Sequence, residues 1–170
     1  MKRTVLSLVV CFVAVIASAQ GLSLSDKLYV SMSADVTTKS KGFTSYEAGA
    51  QLGYKFTPSL YAFAEWSGGR SVYEKDGLKT HGTMANLGGG LGYRLFLDKN
   101  SNGSFDFKGS VTTTIGDRGW KNTIYKAGVY YRLPALKVAP QLGLGYQYID
   151  SRINGVESRG CIFASLGFSL

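Results

Sequence analysis

The chain has 170 residues and a net charge of +8, from 19 Lys and Arg against 11 Asp and Glu. Hydrophobic residues make up 45% of it, which excludes a disordered chain or a linker, and 22 Gly with only 3 Pro and no Gly-X-Y period exclude collagen. The aromatic residues, 13% of the chain, occur in segments of alternating polarity and favour β structure.

The first residues are typical of an export signal. A basic start is followed by an apolar run over 5–16 and by the small residues of Ala17-Ser18-Ala19. We therefore expect residues 1–19 to be a cleaved signal peptide and 20–170 to be the exported domain. An exported protein meets no genome, so no nucleic-acid partner is expected despite the positive charge. Cys161 is then the only thiol, which excludes an internal disulfide.

After the signal, the dominant pattern is a period of two. Between Tyr46 and Phe56 the even positions are apolar or aromatic, and the odd positions are polar or glycine. Similar alternation predicts eight strands, and segments of this kind suit strands that cross a bilayer at a tilt. In chain order the predicted strands are 27–37, 43–56, 60–67, 81–97, 104–116, 122–133, 136–149 and 159–170.

The connections between these segments differ in length. Those at 57–59, at 98–103 and around Pro134 are short, those at 68–80 and 150–158 are longer, and those at 38–42 and 117–121 lie between. Short periplasmic turns and longer extracellular loops are typical of transmembrane β-barrels. The sequence therefore predicts an all-β fold, an eight-stranded antiparallel up-and-down transmembrane barrel with both termini on the side of the short turns.

The positions of the aromatic residues indicate which face of the strands meets lipid. A soluble barrel with an apolar interior also alternates, but here the aromatic residues of the apolar face cluster at both strand ends, as Tyr46 and Tyr54 do. Two aromatic girdles around an aliphatic band are typical of a lipid-facing surface. The opposite face then lines a narrow lumen. Its charged residues are Asp35, Glu47, Lys55, Glu65, Arg94, Asp106, Lys108, Lys126, Arg132, Lys137 and Arg159.

With these features the chain resembles the small eight-stranded outer-membrane β-barrels, the family of the OmpA transmembrane domain and its stand-alone relatives. Its alternating last segment, Ile162 to Leu170, is similar to the C-terminal sequence that the barrel assembly machinery reads, with Leu170 in the place commonly held by Phe. The resemblance implies a monomer in the outer membrane of a Gram-negative bacterium. It also implies contact with outer-membrane lipids, with lipopolysaccharide and with the assembly machinery.

Charged side chains in a narrow lumen must be paired, because an isolated buried charge is costly. Glu47 and Glu65 fall on neighbouring strands, and Lys126 falls on the strand that faces them. Asp35 and Arg159 fall on adjacent strands once the barrel closes. We expect these five side chains to form a salt-bridge network that plugs the lumen. The alternative is a gate that opens when the pairs exchange partners.

The outer loops carry an excess of positive charge. Lys and Arg near a membrane interface pair with anions such as the phosphates of lipopolysaccharide. We expect lipopolysaccharide contact through Arg70, Lys79, Arg118 and Lys121, the alternative being an ordinary solvated rim. Trp120 is expected to anchor at the interface or to touch a partner.

The leading interpretation is a non-enzymatic membrane protein with a structural or surface role, and three rival functions compete with it. The first is an enzyme: His81-Gly82-Thr83 is similar to the His-x-Ser of the outer-membrane lipid A deacylase family, with Thr83 in place of the serine. A triad needs an orienting carboxylate, and Glu65 is expected to point inward while His81 points outward. The second rival is a narrow porin-like channel, and the third is a soluble binding barrel.

No metal or cofactor is expected. Asp98 to Gly103 matches the first half of a calcium loop, but the twelfth position of that loop, which should supply a bidentate Glu, is Gly109. Cys161 is expected to face inward and to be buried.

Overall fold

The computed structural model describes residues 27–75, 78–96, 103–116, 120–133 and 138–170, and its regular elements there are eight β-strands. In chain order they are β1 Leu28–Thr37, β2 Phe43–Lys55, β3 Leu60–Lys75, β4 Leu78–Phe96, β5 Ser104–Thr114, β6 Asn122–Arg132, β7 Ala139–Ser151 and β8 Arg159–Ser169. Each strand pairs antiparallel with the next, and β8 pairs with β1, so the sheet is a closed barrel. The predicted fold class is confirmed. Among the residues described there is no helix with the length and apolarity to span a bilayer.

The outer surface of the barrel is apolar. Leu52, Leu91 and Leu144 point outward from their strands and are 59%, 61% and 62% exposed. Soluble proteins rarely expose a continuous apolar belt, whereas a transmembrane barrel presents one to lipid. This excludes a soluble barrel with an apolar interior. The exposed aromatic residues nearer the strand ends are Tyr46, Tyr54, Phe56, Tyr93, Phe96, Phe107, Tyr125, Tyr148 and Phe168, and those nearer the middle are Trp66 and Tyr146.

The lumen is filled with side chains, as expected for eight strands. It holds aromatic rings as well as charges: Tyr29 and Phe163 are fully buried, and Tyr61 is 1% exposed. Inward-facing glycines make room for aromatic rings in the lumen. For example, a Cβ at Gly143 would collide with the ring of another inward residue, Tyr130, so Gly143 accepts no side chain without displacing that ring.

The hairpin of β3 and β4 is longer than the sequence predicts. The loop expected at 68–80 is wrong, because the ladder continues through it to the pair Lys75 and Leu78. Gly and charged residues there are typical of a loop, but the alternation persists, with Ser71 buried and Arg70 exposed. Gly69 reflects a close approach of strands, since a Cβ there would lie 3.0 Å from the Cα of Glu47.

This hairpin also extends beyond its neighbour. β4 pairs with β5 only from Asn86 onward, so the part of β4 before that residue rises above the end of β5. The outward face of the hairpin therefore continues past the aromatic girdle toward the outside.

The predicted signal peptide, residues 1–19, lies outside the described residues, as do Arg118 and Lys137.

Candidate functional site

The centre of the lumen holds a cluster of ions around Lys126. The Lys126 Nζ lies 2.8 Å from Asp35 Oδ2, 3.8 Å from Glu47 Oε2 and 3.9 Å from Glu65 Oε1. All four side chains are less than 10% exposed. The structure thus brings together four of the five residues that the sequence assigns to this network. Lys126 reaches them because β6 faces β1, β2 and β3 across the barrel.

Two neutral side chains donate hydrogen bonds to carboxylates of this cluster. The Ser165 hydroxyl donates to Asp35 Oδ1 at 2.6 Å, and the Gln51 amide donates to Glu65 Oε2 at 3.1 Å. Glu47 Oε1 is buried and has no hydrogen-bond partner among the described residues. Three carboxylates thus share one ammonium group, and the Lys126 charge stabilises all of them.

Arg159 does not pair with Asp35, which corrects the expected network. The register sets Asp35 opposite Ser165, and Arg159 lies six residues earlier on β8, a separation of about 20 Å along the strand. Its guanidinium lies over the ring of Phe43, 3.8 Å from the centroid, and is buried. Both of its terminal nitrogens are without a hydrogen-bond partner in the described part of the chain. Arg159 therefore belongs to the outer mouth of the lumen.

Aromatic side chains narrow that mouth. The ring of Phe43 packs against Tyr73 at 4.4 Å and against Trp120 at 5.2 Å between centroids. Trp120 was expected at the membrane interface or on a partner, and instead it packs inside the chain. Its indole occupies the space of a side chain at Gly82, where a Cβ would collide with it. Below this mouth Cys161 is buried, as predicted.

A second ion pair lies nearer the short turns. Arg94 donates to both oxygens of Asp106, at 2.7 and 2.8 Å, and the two residues are register partners on β4 and β5. The Tyr61 hydroxyl also donates to Asp106, at 3.1 Å. The sequence places both charges in the lumen without pairing them. Both side chains fall on the inward face, and both lie at the same end of adjacent strands. These two features together predict the Arg94 and Asp106 pair.

Lys108 is a fourth buried cation among the described residues, and it lies close to aromatic rings. Its Nζ lies 4.2 Å from the ring centroid of Tyr130 and 5.4 Å from that of Tyr29. It donates to Gln51 Oε1 at 3.3 Å. A ring face attracts a cation electrostatically, and the attraction is stronger when water is excluded. Sequence reasoning missed this arrangement because it considered only charged partners.

Outside the barrel, the described residues proposed to contact lipopolysaccharide lie on two elements. Arg70 and Lys79 are exposed on the outward face of the β3–β4 hairpin, and Lys121 is exposed on the connection before β6. Glu74 lies 2.9 Å from the Lys39 Nζ and 3.5 Å from that of Lys79. The hydrogen bond and charge of Lys39, followed by the charge of Lys79, lower the pKa of the Glu74 carboxyl below its usual value.

His81 and Thr83 are exposed on the same outward face. Their register partners on β3 are Val72 and Arg70, respectively. Glu65 is buried in the lumen, on the other side of the barrel wall. The structure therefore brings an imidazole, a hydroxyl and a guanidinium together on one surface, and it separates them from the carboxylate that the sequence considered.

No protein-family profile matches the chain, and no curated protein sequence does. Among solved structures, the chain is similar to the outer membrane enzyme PagL, with 12% identity over 82% of this chain and 98% of that one and a TM-score of 0.53. The de novo designed TMB2.3 has 17% identity over 84% and 91% of the two chains, with a TM-score of 0.42. The N-terminal β-barrel domain of Pseudomonas aeruginosa OprF has 14% identity over 84% and 97%, with a TM-score of 0.39. The likeness to PagL confirms the fold, that of the small outer-membrane β-barrels.

Proposed function

We propose that this protein is a non-enzymatic integral outer-membrane barrel that acts at the membrane surface by contacting lipopolysaccharide. The observation that carries the proposal is the outward face of the β3–β4 hairpin. There Arg70 and Lys79 lie closer to the hairpin tip than Trp66, an exposed aromatic residue of the outer surface. Cations just outside the apolar band are placed to meet the phosphates of the outer leaflet.

The contents of the lumen support a surface role over transport. The Lys126 cluster, the Arg94 and Asp106 pair and the Phe43 mouth occupy successive levels of the interior. A pore needs a continuous water-filled path, and an eight-stranded barrel has an interior just wide enough for side chains to fill. We therefore favour a barrel without steady conductance.

The proposal includes export and insertion. Residues 1–19 direct export and are removed, and the alternating β8 is read by the barrel assembly machinery. The outward residues of that strand, Ile162 and Leu166, are 51% and 59% exposed, as a lipid-facing strand requires. We expect a monomer, because the barrel closes without a partner chain.

The test is charge reversal in cells that lack the native gene. A variant with Arg70, Lys79, Arg118 and Lys121 all changed to Glu should lose lipopolysaccharide to the medium after brief chelation of divalent cations. The control reverses Lys27 and Lys55, at the opposite end of the barrel, and should retain lipopolysaccharide like the wild type. Equal retention by all three proteins, at equal amounts in the membrane, would refute the proposal.

A further inference from the structure

The outward face of β2, β3 and β4 has a layered composition. Across these strands the register aligns Tyr46, Arg70 and Thr83 in one row. The next row toward the membrane centre is Ala48, Gly68 and Ala85, and below it lie Ala50, Trp66 and Leu87. Successive rows on a strand are about 7 Å apart. The row of Arg70, which carries a cation and hydroxyl groups, thus lies next to the row of Gly68, which has almost no side chains, on the side of the hairpin tip.

The row of small residues sets the outer surface back between two rows of larger side chains, and we call this strip the depression. At Gly68 an added Cβ would meet only the Met84 carbonyl oxygen, at 3.9 Å, which is ordinary contact. Gly68 is therefore not there for close strand packing, unlike Gly69 beside it. Trp66, 44% exposed, lies in the next row toward the membrane centre, directly below Gly68 on β3.

The row above carries the charge. Arg70 and Thr83 are adjacent and exposed, and His81 and Lys79 follow toward the tip on the same face. The carboxylate on this face, Glu74, lies within ion-pair distance of both Lys39 and Lys79. Excess positive charge above an apolar depression fits an anionic lipid, whose phosphate suits a guanidinium and a hydroxyl.

We infer that this face, made of the rows of Arg70 and Gly68, binds one phosphorylated glycolipid of the outer leaflet. Its phosphate contacts Arg70 and Thr83, and one acyl chain lies over Gly68 against Trp66. The inference rests on the proposed function and gives it a defined site with a defined ligand, lipid A. It differs from general attraction between basic loops and a membrane, because it requires both the cation and the depression.

Native mass spectrometry of the purified full chain in detergent tests the site. The probes are bisphosphorylated lipid A, its monophosphorylated form and phosphatidylglycerol. Wild type should retain one bisphosphorylated lipid A, with the monophosphorylated form weaker. Gly68→Leu fills the depression and Arg70→Gln removes the guanidinium that contacts the phosphate, and each should weaken binding about tenfold.

The matched control is Gly109→Leu, an outward glycine on β5 where an added Cβ also meets nothing closer than 4.0 Å. It should bind lipid A like the wild type, and all variants should keep the electrophoretic shift between unheated and boiled samples that marks a folded barrel.

Wild-type binding by Gly68→Leu, or equal binding of phosphatidylglycerol and lipid A, overturns the site. If cells lose lipopolysaccharide on charge reversal while Gly68→Leu binds normally, the site is refuted and the proposed function stands. If charge reversal has no effect while Gly68→Leu and Arg70→Gln both lose lipid A, the site stands without that function.

Discussion

Replacing Lys126 by Met should destabilise the barrel strongly. The substitution keeps most of the apolar stem and removes the ammonium group that lies within 4 Å of Asp35, Glu47 and Glu65. Removing one partner of a buried ion pair costs about 3 to 5 kcal/mol, because the remaining charge is left uncompensated. With three carboxylates affected, we expect the free energy of unfolding to fall by at least that range at neutral pH.

Urea titration of the protein refolded into lipid vesicles measures this change, with the electrophoretic shift of the folded barrel as the readout. Lys108→Met is the matched control, since Lys108 is equally buried but is held by tyrosine rings and Gln51. Its loss leaves no carboxylate unpaired and should cost about 2 kcal/mol.

A double variant tests the role of Lys126 a second time. Adding Asp35→Asn to Lys126→Met removes one of the stranded charges and should restore about 1 to 3 kcal/mol. Equal losses for Lys126→Met and Lys108→Met, without recovery in the double variant, would refute the view that Lys126 holds the cluster together.

Four further outcomes are expected. In a planar bilayer the wild type should give no steady single-channel current, and regular openings would contradict the filled lumen. Lys39→Met should raise the pKa of Glu74 toward its ordinary value in a carboxyl NMR titration, because the hydrogen bond and charge of Lys39 no longer stabilise the carboxylate; an unchanged titration would show that Lys39 does not lower this pKa. Gly82→Ala should displace the indole of Trp120 and shift its fluorescence to the red. His81→Ala should leave the acyl chains of lipid A unchanged by mass spectrometry, whereas a change would favour an enzyme.

The fold was accessible from the sequence because a β-strand repeats every two residues. In Tyr46 to Phe56 each residue type follows from the face that it occupies, and the same rule identifies all eight strands. The period of two does not predict the strand correctly where glycines and charged residues resemble the composition of a loop. At 68–80 the backbone still alternates, and only the partner strand shows that Gly69 is a point of close approach.

The site was accessible in part, for a related reason. Alternation shows which side chains point inward, and strands that face each other in an eight-stranded barrel bring Lys126 to Glu47 and Glu65. It does not give the stagger of neighbouring strands, which is why Arg159 was paired with Asp35 although Ser165 lies opposite. The contacts of Lys108 and Arg159 with aromatic rings require positions in three dimensions, because they leave no charge pattern in the sequence.

The seam between β1 and β8 has a consequence for how the barrel is completed. Their shared ladder runs only from Ser31 to Thr37 on β1, yet it contains both Asp35 and its hydroxyl donor Ser165. Until β8 pairs with β1, Asp35 lacks that donor and remains on an open edge, where water can solvate it. The cluster around Lys126 therefore loses its water only when these two strands pair. A sheet that stalls one strand short leaves an unfinished, hydrated interior, so the polar core itself distinguishes a completed cylinder from an incomplete one.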